Sequence, residues 1–283
     1  MREHRDLWRR AFGDTKRYMD YFFCRKAPRS EAWEDRAGNR LCSMAFFISY
    51  DAILRGRQCR LPYIVGVATE PDYRHQGRMT HVLTEGMKQV QDRGCPLVFL
   101  SPADPAIYSP LGFIPAYWRE TTVLQGEGRF SLRIREWDSL CGKEKEMAAQ
   151  FAEERIRQEG FDLHLVHHTA YYEEVNRELQ ALEGSLLVLY HGEEIAGVAN
   201  WIREEGCQEV TELICRREWG IEVLESLQAW VQGERLLVED STFISHVEAI
   251  GIRRKKQKTP YLMYRMLDGT VDTGLRCYVN DIT

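Results

Sequence analysis

The sequence predicts a mixed α+β protein in two units, and three observations carry that reading. The chain has 283 residues, about the size at which a single core stops growing, so two units of roughly 130 to 150 residues are expected. Strand-like and helix-like patterns alternate along both halves. The second half also repeats the element order of the first, as a diverged duplication does.

The opening elements are helical. In RDLWRRAFGDTKRYMDYFF (Arg5 to Phe23), Leu7, Trp8, Ala11 and Phe12 share one helical face, GDT interrupts it, and the same GDT can cap a second helix. The aromatic residues of this stretch are expected mainly in the core, with Tyr21 to Phe23 placed to line an acceptor pocket. Gly38 and Asn39 mark a turn, and the β-branched and aromatic runs Ser43 to Tyr50 and Tyr63 to Thr69 read as strands. Next comes EPDYRHQGRMTHVL (Glu70 to Leu83). From Gly77, the residues Met79, Val82, Leu83, Met87 and Val90 follow one helical face, and RGCP (Arg93 to Pro96) ends that helix. A buried strand, LVFLSP, follows, and then the turn ADPAIYSPLGF as far as Phe113.

Composition shifts near Thr121 to Arg135, which places the boundary at 125/126 and gives domains 1–125 and 126–283. EKEMAAQFAEERIRQEG (Glu144 to Gly160) is helix-like with a glycine stop, and AYYEEVNRELQALEG is a further helix. The HGEE turn joins two strand-like runs, CQEVTELICR is another strand, and WGIEVLESLQAWVQG has helical spacing through Ile221, Leu224, Leu227 and Val231.

Bulk properties narrow the function. An apolar fraction of 44% and a charged fraction of 29% fit a soluble globular protein. A net charge of -5 and a pI near 6.0 give no basic field for nucleic acid. No apolar run reaches the roughly 18 residues of a membrane span, and MREHRDLWRR lacks the apolar centre of a secretory signal, so a cytoplasmic protein without membrane partners is expected. The eight cysteines are scattered, with no C-x-x-C pair and no ligand-like spacing to histidine, which argues for reduced thiols and against metal. HLVHH (His164 to His168) alternates like a strand, and RRKKQK (Arg253 to Lys258) reads as a solvated loop between strands.

The chemistry centres on the stretch after the second strand. Backbone N–H groups in a helix's first turn lack internal partners, and the helix dipole favours an anion there. Gly77 permits close approach, and Arg74 adds a charge able to pair with phosphate oxygens. Taken alone, R-x-x-G before a helix is equally a strand-to-helix turn with a solvated arginine. The later segment IYSPLGF (Ile107 to Phe113) changes the balance.

Together the strand, the R-x-x-G loop, the helix, the next strand and the Y-x-x-x-G-F segment resemble the GNAT superfamily of acyl-CoA N-acyltransferases. LWRRAFGDTKRYMDYFF and SPADPAIYSPLGF further resemble the enhanced-intracellular-survival (Eis) type, which has two tandem GNAT domains and a C-terminal sterol-carrier-protein-like domain. The resemblance is good over residues 1 to 125 and in outline beyond. It implies two tandem GNAT-like domains, each a mixed, mostly antiparallel sheet flanked by helices. It also implies that His75, Gln76, Gly77, Arg78, Met79 and Thr80, with Arg74, cradle the pyrophosphate of acetyl-CoA. Val67, Ala68 and Thr69 would pair with the pantetheine arm, and Tyr108 would be the general acid that protonates the departing thiolate. Two departures stand out. Met79 replaces the usual small residue, which is acceptable if it faces the core, and the second half has only REWG before its helix, so the second domain is expected to be degenerate and without a pyrophosphate loop. By the resemblance, most of the sterol-carrier-like domain is expected to be lacking beyond Thr283, so the terminal carboxylate proposed as a base in that type would have to be replaced from elsewhere or reach in from a shorter tail.

The expected activity is acetyl-CoA-dependent N-acetylation of a small-molecule or lysine-type primary amine by direct transfer in a ternary complex, with no metal; a homo-oligomer is compatible with the sequence. A lysine-like amine with a pKa of about 10.4 must lose a proton before attack. Glu70, Asp72, His75 and His81 are the nearby groups able to take it, and the base is left unassigned, since Glu70 is expected on a solvent face. The alternative is a non-catalytic acyl-CoA-binding or regulatory protein derived from such an enzyme.

Overall fold

The computed structural model describes all residues except 205–206, 233–234, 240–241, 248–251, 257–259, 271–273 and 280–283. Its elements in chain order begin with helices α1 (Arg2–Phe12) and α2 (Lys16–Tyr21), the latter capped by Thr15, whose side chain accepts from the Tyr18 N–H. Strands β1 (Glu31–Ala37), β2 (Arg40–Leu54) and β3 (Arg57–Thr69), helix α3 (Arg78–Asp92), strand β4 (Leu97–Leu100), the four-residue helix α4 (Pro105–Tyr108) and strand β5 (Ile114–Tyr117) follow. After these come β6 (Glu120–Leu124), β7 (Arg133–Glu136), α5 (Gly142–Gln158), β8 (Leu163–Leu165), α6 (Thr169–Ala181), β9 (Ser185–His191), β10 (Glu194–Glu204), β11 (Cys207–Cys215), α7 (Gly220–Trp230), β12 (Leu236–Val238) and β13 (Arg253–Lys256). The chain closes with β14 (Leu262–Met266) and β15 (Cys277–Tyr278).

The chain forms two compact units. The first takes Met1–Tyr117 and the described residues of the returning segment Thr259–Val279, and the second the described residues of Trp118–Lys258. This differs from a division at 125/126 in two ways. β6 pairs with β12 and β13, so it belongs to the second unit. β14 lies between β4 and β5, antiparallel to both, and completes the first sheet from far along the chain. Its run Leu262, Met263 and Tyr264 is fully buried there, which is the apolar burial that drives the return.

In the first unit the strands run β1-β2-β3-β4-β14-β5, antiparallel except where β3 and β4 flank the crossover through α3. β2 and β3 form a hairpin whose two turn residues, Arg55 and Gly56, both have positive φ (49° and 75°), the backbone a two-residue hairpin needs. β2 is buried on both faces. Phe46 packs against Trp8 and Phe22 on the α1 side, whereas Phe47 lies against Gly86 of α3. The α3 face forms as expected, with Val82, Leu83, Met87 and Val90 buried against Ile64, Val98 and Leu100.

The second unit repeats the plan with β13-β6-β12-β11-β10-β9-β7, antiparallel except for β11 and β12, which flank the crossover through α7. The HGEE turn forms with Gly192 at φ 59°. Ile221 differs from expectation, since it is exposed on α7 while Leu224 and Leu227 are buried. Arg253–Lys256 is a strand rather than a loop, and Gln257 and Lys258 lie outside the described residues.

Candidate active site

β3 carries a bulge near its end. Met44 pairs with Ala68 but Phe46 with Val65, so Gly66 and Val67 together oppose only Ala45. Such an insertion takes backbone out of the ladder and re-aims the strand. Gly66 is obligatory here: its φ is 64°, and a Cβ would stand 2.2 Å from the Trp8 ring. Further on, β3 parts from β4, to which the one register pair described is Tyr63 with Phe99.

The turn after β3 is held by its own side chains. Arg74 Nε donates to the Thr69 carbonyl at 3.2 Å, and Gln76 Nε2 donates to the Asp72 carbonyl at 3.0 Å. His75 takes a left-handed φ of 59°, uncommon for a residue with a Cβ, and Gly77 caps α3 at φ 75°. No side chain caps this helix start, and no atom lies within 4 Å of where a Cβ on Gly77 would be. The His81 N–H reaches back to the Gly77 carbonyl at 2.9 Å. The N–H groups before it thus face open space with the positive end of the helix dipole behind them.

A cavity of about 530 Å³ sits at this point, lined by Ala11, Phe12, Val67, Ala68, Thr69, Tyr73, Arg74, His75, Gly77, Arg78, Met79, Thr80 and Ile107. It gathers every expected coenzyme-binding residue except Gln76, whose side chain turns away to Asp72. The cavity lies at the end of β3, with Ala11 and Phe12 of α1 on one side and Arg78, Met79 and Thr80 of α3 on the other. Met79 serves both sides, lining the cavity and packing on the apolar cluster beneath α3. The Arg78 side chain is engaged elsewhere, with Asp35 at 2.9 Å and over the Tyr73 ring at 4.9 Å, which leaves its backbone to face the cavity.

Tyr108 ends α4, whose start is capped by Asp104 accepting from the Ala106 N–H. Its ring is buried edge-on to Phe113 at 6.0 Å, and burial pushes the phenol above its usual value, favouring the protonated form. Tyr108 does not line the cavity; its neighbour Ile107 does. Below it, Arg265 of β14 donates to the Leu111 carbonyl at 2.8 Å, fixing the turn through Gly112.

Glu70 corrects the expectation of a solvent face. It is buried, its N–H donates to the Cys42 carbonyl at 2.9 Å, and its carboxylate accepts from the Arg10 guanidinium of α1. The pair braces α1 against the end of β3. Phe12 also departs from expectation, being 44% exposed rather than in the core, because it forms part of the cavity wall. Sequence reasoning did not single out Ala11, Tyr73 or Ile107 as lining residues. The exposed apolar character of Phe12 and Ile107 is the signal that a folded context makes visible.

Among the described residues, no group of three or more His, Cys, Asp or Glu side chains is arranged to hold a metal ion. Among them too, no helix is long and apolar enough to cross a membrane.

Comparison with known proteins adds to this geometry. Residues 1–116 match the family model of the acetyltransferase (GNAT) domain. No curated protein matches the chain by sequence. Among solved structures, a probable N-acyltransferase from Enterococcus faecalis V583 is similar at 15% identity with a TM-score of 0.72, covering 94% of this chain and 70% of that one. Eis1 from Mycobacterium abscessus is similar at 12% identity with a TM-score of 0.64, covering 94% and 71%. A tandem GNAT protein from the clavulanic acid biosynthesis pathway is similar at 11% identity with a TM-score of 0.58, covering 95% of each chain.

Proposed function

Since the chain carries a GNAT acetyltransferase domain over residues 1–116 within the fold of the tandem GNAT N-acyltransferases, Eis among them, we propose that it is an acetyl-CoA-dependent N-acetyltransferase acting on a primary amine. The observation that carries this reading is the cavity that joins the open start of α3 to the bulged end of β3. Arg74 and the N–H groups of His75 to Thr80 hold the pyrophosphate, as helix starts hold anions. Val67, Ala68 and Thr69 align the pantetheine arm along the strand. A backbone N–H freed from the ladder at the bulge polarises the thioester carbonyl, where negative charge grows as the amine attacks. The new N–C bond forms, the C–S bond breaks, and Tyr108 gives its proton to the departing sulfur. The amine's own proton passes to solvent or to a neighbouring base. Tyr108 holds this role by resemblance and by its place one residue from the cavity wall. The acceptor is a small-molecule or lysine-type amine.

Binding and turnover are measured separately. Acetyl-CoA is expected to raise the melting temperature, and thiol release is expected with at least one member of a panel of polyamines, aminoglycosides and lysine peptides. Stabilisation without thiol release on any amine supports an acyl-CoA-binding protein instead. Tyr108→Phe is expected to lower kcat by about 10² to 10⁴-fold, the range of general acid catalysis, with acetyl-CoA affinity kept within about threefold. An unaltered kcat removes the acid from Tyr108.

A further inference from the structure

On the coenzyme A reading, the arm runs from the start of α3 back along Thr69, Ala68 and Val67, so the acyl group is directed at the bulge residue Gly66. What stands there is Trp8. Its ring leaves no room even for a Cβ on Gly66, which would lie 2.2 Å from it. The indole is 3% exposed and is backed by Phe22 at 4.2 Å and Phe12 at 4.8 Å between ring centroids, with Phe23 and Phe46 at 5.7 and 6.1 Å. Its Nε1 donates to Asp14 Oδ2 at 2.7 Å, just beyond the end of α1. An indole hydrogen-bonded at one edge and ringed by aromatics on its faces cannot swing aside without breaking that bond and opening a void.

We propose that Trp8 is the specificity-determining residue for the acyl donor, closing the far end of the thioester site so that it takes acyl groups of two or three carbons and rejects medium chains. The inference rests on the coenzyme A reading above. Val67, Ala68 and Thr69 line the cavity and Gly66 does not, so the open channel stops one residue short of the indole. A two-carbon acyl group ends at the bulge. Each further methylene has to displace a packed ring, and in a shaped apolar pocket one methylene is discriminated by about 10- to 200-fold.

The test is calorimetric titration of the full chain with coenzyme A, acetyl-CoA, butyryl-CoA and octanoyl-CoA. The wild type is expected to bind octanoyl-CoA at least about tenfold more weakly than acetyl-CoA. Trp8→Leu is expected to reduce that ratio about tenfold, and Trp8→Phe, which keeps an aromatic ring in the cluster, to reduce it by a smaller factor. The wild-type series stands on its own if Trp8→Leu fails to fold. Octanoyl-CoA binding as tightly as acetyl-CoA, while coenzyme A itself binds, overturns the gate and leaves the coenzyme A reading intact. A folded Trp8 variant whose ratio equals that of the wild type also overturns it. If coenzyme A does not bind at all, the reading and the gate fall together.

Discussion

Each unit has a strand-helix-strand crossover with a parallel strand pair, yet the turns entering the two helices are opposites. In the first, Gly77 is left-handed and nothing lies within 4 Å of where its Cβ would be. In the second, Gly220 opens α7 in ordinary helical backbone at φ -59°, and a Cβ there would meet Val247 at 2.6 Å. Arg216, which follows β11 as the chain turns towards α7, lies over the Phe151 and Trp219 rings at 5.7 and 5.4 Å and faces Glu194 and Glu218 at 3.7 and 3.8 Å. The crossover is a scaffold that either unit can build. What makes an anion site is an uncovered helix start, and that depends on a few residues of the turn.

Exchanging bulk at the two glycines is the strongest way to break this comparison. Gly77→Val puts a β-branched residue into left-handed backbone, where it is strained, and re-aims the N–H groups beside it. Losing two charge-assisted hydrogen bonds at about 1.5 kcal/mol each predicts an acetyl-CoA Kd raised by about 100-fold or more. Gly220→Val has ample backbone freedom but meets Val247, so it is expected to cost about 1 to 3 kcal/mol of stability with acetyl-CoA affinity within about twofold. Calorimetry and thermal melting read both variants. Equal losses of affinity would mean that the second turn also binds coenzyme.

Acid sensitivity sharpens the contrast, because the second unit holds a half-buried carboxylate on α5 among several donors. Burial opposes ionisation of Glu153, but His164 at 3.5 Å, the His167 N–H at 2.9 Å and Arg157 at 2.6 Å outweigh it and hold the carboxyl at about 2 rather than 4.5. A folded-state value below the unfolded one stabilises the fold above the unfolded value, and the gain is lost as pH falls from there through the folded value. The stabilisation, on the order of 3 kcal/mol, is therefore present above about pH 4.5 and disappears towards pH 2. Glu153→Gln is expected to lower stability at pH 7 by about 2 kcal/mol and to flatten this part of the stability profile. Denaturant titration across pH 2 to 7 checks it, and an unchanged slope would sink the assignment.

These contrasts also explain what the sequence could convey. α3 and the strand before it are legible because Val82, Leu83, Met87 and Val90 repeat at helical spacing and Gly77 stands at the helix start, where the backbone is left-handed. Strand β1 was missed because EAWEDRA is charged. It pairs with β2 alone, as an edge strand whose polar side chains stay partly solvated. Glu70 looked solvated because its partner, Arg10, lies on α1, and only folding brings the two together. β14 was assigned to the wrong unit for the same reason: pairing with β4 is a long-range event that local periodicity does not encode. Gly66 raised no alarm in the sequence, since its need appears only once Trp8 is packed on it.

The smallest expected effect separates the two arginines. Arg74 donates only Nε to the Thr69 carbonyl, which leaves its outer nitrogens to an anion on the cavity side, whereas Arg216 is used up by rings and carboxylates. Arg74→Ala is expected to weaken acetyl-CoA binding about tenfold, the value of one charge-assisted contact at a partly exposed site. Its binding should also vary less with salt than that of the wild type, because a screened charge pair has been removed. Arg216→Ala is expected to leave the Kd within about twofold and to lower stability by about 1 kcal/mol through its lost ring contacts. Titrations at low and high salt decide the matter: a salt dependence that survives Arg74→Ala would place the coenzyme's charge partner elsewhere than on this loop.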